Sequence, residues 1–202
     1  MFVMDNSGSM GDSIQGEAQS FFHLQQTTNS WTALEVCKNC LLDQILPQRL
    51  SAIDSVGFIA FNHSINVDVR LDSWQGAHRA HLESKLRSVM PEGQTNMWTA
   101  VDYAVRQLLQ SSGKRSKWLV ALTDGASHDN AHDVERLLNA EGKDVHVLFI
   151  TVNLSENDRR AIETAIRRTE NDGMFSASDV SSLEQAWNCL LYTSPSPRDG
   201  LL

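Results

Sequence analysis

Three short stretches of the sequence concentrate oxygen ligands: Asp5-Asn6-Ser7-Gly8-Ser9-Met10, Gly93-Gln94-Thr95-Asn96 and Thr123-Asp124-Gly125. The candidate ligands are two carboxylates, Asp5 and Asp124, and three hydroxyls, Ser7, Ser9 and Thr95. None is an imidazole or a thiolate. Such a set suits a hard divalent cation, and its few charges suit Mg²⁺, with Mn²⁺ as a substitute, better than Ca²⁺. Asp5, Ser7 and Ser9 can point the same way only if their loop curls tightly, which Gly8 permits. Carboxylates about 4 Å apart would repel by roughly 4 kcal/mol at an effective dielectric of 20. A cation removes that repulsion, and so should the loss of either carboxylate in the metal-free protein.

The elements that must position these residues follow from two hydrophobic periods. Residues 55–61 (SVGFIAF), 116–122 (SKWLVAL) and 145–152 (VHVLFITV) are near-continuous apolar runs, as expected of strands covered on both faces. Phe2-Val3-Met4 is a shorter run of the same kind that leads directly into Asp5. Residues 65–71 alternate apolar and polar, which predicts an edge strand joined to its predecessor by a hairpin around Asn62-His63. Val101, Ala104, Val105, Leu108 and Leu109 form a helical stripe. Leu34/Cys37/Leu41/Ile45, Trp74/His78/Leu82/Leu86, Val134/Leu137/Leu138, Ile162/Ala165/Ile166 and Val180/Leu183/Trp187 mark five more. This alternation predicts one α/β domain with a mostly parallel sheet, one antiparallel edge strand and helices on both faces. In such sheets function gathers where strand C-termini meet the next loop, and the three oxygen-bearing stretches fall there.

In this order and on these elements, DxSGS, the threonine of GQTN and the aspartate of TDG resemble the metal-ion-dependent adhesion site of von Willebrand factor type A domains. The resemblance covers nearly all of residues 1–190. It implies a three-layer, Rossmann-like, doubly wound fold in which Ser7, Ser9 and Thr95 hold Mg²⁺ and Asp5 and Asp124 act directly or through water. It also implies one open coordination position, filled by a Glu or Asp carboxylate of a protein partner, and a binding module rather than an enzyme. Residues 11–30 depart from the compact pattern as an insertion at the metal face, centred on Phe21, Phe22 and His23.

Two other functional readings remain open. Gly11-Asp12-Ser13-Ile14 and Asp129-Asn-Ala-His132 echo blocks of SGNH-type (GDSL) esterases, in which Ser13 would attack and His132 act as base. Against this, Ser13 does not directly follow a strand, and a strand, a helix, a strand and a helix come after His132. Alternatively the domain is structural and its site idle. His128-Asp129 and His132-Asp133 suggest a second metal, but acids in a helix's first turn read first as its cap.

Composition narrows the classes further. Seventeen Lys+Arg against 25 Asp+Glu give a net charge of -8, which argues against nucleic acid as a partner. No apolar run approaches the roughly 18 residues of a spanning helix, so membrane insertion is not expected. Three cysteines, two of them in a lone CxxC, make neither a disulfide framework nor a zinc site. Asn62-His-Ser64 and Asn153-Leu-Ser155 are glycosylation sequons. The first strand signal is short enough to expect a truncated N-terminus. Residues 189–199 resemble a translated sequencing adaptor, and residues 191–202 are expected to be a non-native, disordered tail.

Overall fold

The apolar runs become the inner strands of a six-stranded sheet. The computed structural model describes residues 1–15, 31–112, 116–125, 127–167 and 172–193, with side chains through 187. The strands in chain order are β1 (Phe2–Asp5), β2 (Ser13–Ile14), β3 (Trp31–Thr32), β4 (Ser55–Phe61), β5 (Ile65–Ser73), β6 (Lys117–Thr123), β7 (Val145–Val152) and β8 (Gly173–Ala177). The main sheet runs β5-β4-β1-β6-β7-β8, parallel throughout except for the β4–β5 hairpin. β5 alternates exposure as its sequence predicts. This is the Rossmann-like α/β architecture expected from the sequence.

Helices cover both faces of the sheet. They are α1 (Ala33–Asn39), α2 (Leu46–Arg49), α3 (Gly76–Ser88), α4 (Met97–Gln110), α5 (His132–Glu141), α6 (Glu156–Ile166) and α7 (Val180–Thr193). One core holds Phe58, Leu41, Leu82 and Trp187, the other Val101, Val105, Phe149 and Ile162. Thr32 and Glu35 start α1 with a reciprocal capping box. Between α1 and α2 the chain widens into a π-helical segment, Cys40–Ile45. Pro47 lacks an N–H and crowds the carbonyl of Asp43, and the wider winding relieves that conflict. The Leu34/Cys37/Leu41/Ile45 stripe stays buried through the change.

The structure adds features that no sequence period marked. β8 (GMFSA) lacks clean alternation, and its place comes from the pairing of Leu148–Val152 with Gly173–Ala177. The two-stranded pair β2–β3 pinches the base of the insertion, with Ser13 opposite Thr32 and Ile14 opposite Trp31. Residues 16–30, including Phe21, Phe22 and His23, lie outside the described residues. The backbone of α7 runs to Thr193, into the segment expected to be a tail, and residues 194–202 are likewise outside. Among the described residues no helix is long and apolar enough to cross a membrane.

Asp129 caps a helix other than its own. Its carboxylate accepts from Trp98 N at 3.1 Å, Thr99 N at 2.7 Å and the Thr99 hydroxyl at 2.7 Å. Ser127 accepts from Met97 N at 2.7 Å and bonds to Asp129. The free N–H groups of α4 are thus satisfied from the loop after β6. Asp133 instead makes an exposed pair with Arg136 in the first turns of α5. Among the described residues no three His, Cys, Asp or Glu side chains cluster as a metal site. Asp129→Ala should therefore lower unfolding stability by about 1–3 kcal/mol. Asp133→Ala should change it by less than about 1 kcal/mol, with urea titration of both variants as the check.

Candidate functional site

β1 lies between β4 and β6, and its last residue, Asp5, is fully buried. Both carboxylate oxygens of Asp5 are occupied. Oδ1 accepts from the Ser7 N–H at 2.8 Å and Oδ2 from the Thr123 hydroxyl at 2.7 Å. The first bond curls the loop, and the second ties it to the end of β6. A 3₁₀ turn at Gly8–Gly11 then brings the Ser7 and Ser9 hydroxyls to 3.2 Å. Ser9 in turn donates to Asp124 Oδ1 at 2.9 Å.

Thr95 arrives on a loop fastened to both neighbouring strand ends. Gly8 N donates to Gly93 O at 2.9 Å, Glu92 N to Asn6 O at 2.7 Å and Asn96 N to Asn62 O at 2.8 Å. The buried amides of Asn6 and Asn62 donate to Met90 O at 2.9 Å and Glu92 O at 3.0 Å. Gly93 sits at φ +76, and a Cβ there would lie 3.1 Å from both Asn62 Nδ2 and His63 Nδ1. Gly125 brings the third loop close, since a Cβ on it would lie 3.2 Å from Thr95 Oγ1 and 3.9 Å from Ser9 Oγ. The structure thus gathers Asp5, Ser7, Ser9, Thr95 and Asp124 at one end of the sheet. Sequence reasoning missed the supporting roles of Thr123, Asn6 and Asn62. Their signal is a polar side chain placed at or just past the end of an apolar strand.

The electrostatics of the site penalise the charge of both carboxylates. Burial, and then the Asp5 charge, push the Asp124 carboxyl up to about 6. Burial also raises Asp5, while its bonds from Thr123 and Ser7 oppose the rise. In an octahedral Mg²⁺ shell with bonds of 2.0–2.1 Å, adjacent oxygens stand about 3 Å apart. The Ser7–Ser9 and Ser9–Asp124 separations, 3.2 and 2.9 Å, fit two such edges. These oxygens and Thr95 can hold the ion. Asp5, with both oxygens accepting, orients the loop and supplies charge from beneath. Burial raises the thiols of Cys37 and Cys40 well above the usual range and keeps them protonated.

The arrangement matches a known family. A model of the von Willebrand factor type A domain matches residues 1–188. The chain belongs to that family. VWA domains commonly mediate protein interactions and are typically not enzymes. No curated protein matches the sequence. Among solved structures, a von Willebrand factor type A protein from Catenulispora acidiphila superimposes with a TM-score of 0.68 at 15% identity, over 96% of this chain and 41% of that one. The PilB minor pilin from Streptococcus sanguinis gives 0.64 at 15%, over 94% and 59%. The pilus adhesin SpaC from Lactobacillus rhamnosus GG gives 0.67 at 14%, over 95% and 30%. The VWA chain spans less than two thirds of each, and at these identities the likeness is one of fold.

The esterase alternative finds no support. Ser13 lies in the β2–β3 pair, His132 opens α5, and among the described residues no hydrogen bond joins them.

The VWA site also revises the expected effect of removing a carboxylate. Asp5→Ala would strand the Ser7 N–H and remove the short acceptor of the Thr123 hydroxyl, so it should cost about 1–3 kcal/mol instead of relieving repulsion. Asp124 behaves differently. Its folded value of about 6 lies above its ordinary 3.8, so its contribution is full below the lower value and lost as pH rises through the higher. In EDTA, urea unfolding should show wild-type stability falling between these values, with a shallower fall in Asp124→Asn.

Proposed function

We propose that this VWA domain is a divalent-cation-dependent protein-binding module, without enzymatic activity, whose ion is completed by a Glu or Asp carboxylate of its partner. The observation that carries the reading is the convergence of Ser7, Ser9, Thr95 and Asp124 above a buried Asp5. Without a cation this arrangement holds Asp124 against its own ionisation. Mg²⁺ or Mn²⁺ at these oxygens would supply a positive centre with a position open to an anionic oxygen. Ser7, Ser9 and Thr95 are neutral ligands and leave much of that charge facing outward. Asp5 holds the Ser7 backbone in place, and Gly93 and Gly125 let the Thr95 and Asp124 loops close. The folds shared with a minor pilin and a pilus adhesin support a role in protein contact.

Mg²⁺ titration tests the reading directly. A ligand that binds only the folded state, at 100 times its Kd, adds about 2.7 kcal/mol. Mg²⁺ should therefore raise the unfolding midpoint of the wild type. Thr95→Ala and Asp124→Ala should lose most of that response while remaining folded in EDTA. An equal Mg²⁺ response in all three proteins would show that the ion binds elsewhere.

A further inference from the structure

A cavity of about 180 Å³ is lined in part by Ser9 and Asp124, two of the proposed ion ligands. Its floor is apolar, made by Ile14, Ala33 and Val152, all buried. Its mouth carries Asp12, Asp124 and Asn153, and none of its lining residues is cationic. Asp12 follows the 3₁₀ turn, its N–H held by Ser9 O at 2.9 Å. Among the described residues its exposed carboxylate has no hydrogen bond or ion pair. Asn153 also lines the cavity, at φ 52, its N–H fixed to Ala177 O at 2.9 Å. The volume falls short of the roughly 300–1,000 Å³ of small-molecule sites but is enough for one long side chain.

We infer that this cavity receives a lysine or arginine side chain from the partner segment whose carboxylate reaches the metal site. The inference rests on the proposed metal-dependent reading and specifies its partner. The aliphatic stem covers Ile14, Ala33 and Val152, and the cationic head meets Asp12. An acidic side chain would be repelled by Asp12 at this mouth, and a wholly apolar one would leave the Asp12 charge without a complementary partner. The assignment also resolves a conflict of charge. A domain of net charge -8 repels a purely acidic segment at long range, whereas a segment with adjacent acid and base is attracted at both points.

The test uses the full chain and fluorescent heptapeptides with a single Asp in a Gly/Ser background. Lys, norleucine or Glu is placed one to three residues to either side. Anisotropy is read in Mg²⁺ and in EDTA. In Mg²⁺, one Lys placement should bind up to about fivefold tighter than its norleucine twin, the size of a partly exposed ion pair. Asp12→Asn should erase that gain and Asp12→Lys should turn the preference toward Glu, with Mg²⁺-dependent binding of the Asp-only peptide kept in both. Equal binding of Lys and norleucine peptides, still lost in EDTA, overturns the cavity assignment alone. Binding indifferent to EDTA, or none in Mg²⁺, overturns the metal reading as well.

Discussion

The architecture of the binding face depends on one buried carboxylate. Asp5 ends the central strand in full burial, where an unpartnered charge would be prohibitive. Its two acceptor oxygens fix two different pieces of chain, the Ser7 backbone and the Thr123 side chain. The loop after β1 therefore has one shape, and the end of β6 has one distance from it. The Ser9–Asp124 contact follows from that placement.

The remaining loops gain their rigidity from backbone groups more than from side-chain packing. Glu92, Asn96 and Gly8 donate across three chain segments, and the amides of Asn6 and Asn62 fill the gaps. Thr95 is thereby nearly enclosed before any ligand arrives. Pre-set donors and acceptors of this kind lower the ordering cost of binding. Asp129 extends the same principle to α4, because the loop that follows Asp124 also satisfies the N-terminus of the helix that follows Thr95.

Much of this was legible in the sequence, for identifiable reasons. The five ligand-type residues lie in contiguous motifs at the ends of long apolar runs, so local pattern reached them. Strands such as Val145–Val152 and helical stripes such as Val101/Val105/Leu108 carry their period openly. β8 does not, because an edge strand of five residues with mixed exposure is defined by its neighbour. The π-helical segment was hidden for a different reason, since the stripe through Leu41 and Ile45 survives the change of winding. Asp129 misled because a capping acid looks the same in sequence whichever helix it serves. The role of Asp5 as a double acceptor was likewise out of reach, since Thr123 is 118 residues away from it.

The burial of Asn62 governs how the protein can be produced. Its amide is fully enclosed, donates to Glu92 O, and accepts from Ser64 N at 3.1 Å. A sugar chain on that nitrogen could not coexist with the closed loop that carries Thr95. A secretory host that modified the Asn62-His-Ser64 acceptor before folding would therefore yield chains unable to mature. Changing Asn62 itself would discard the amide the loop requires. Ser64→Ala removes the acceptor sequence at the cost only of an exposed contact with Asn66, and it leaves the backbone bond in place.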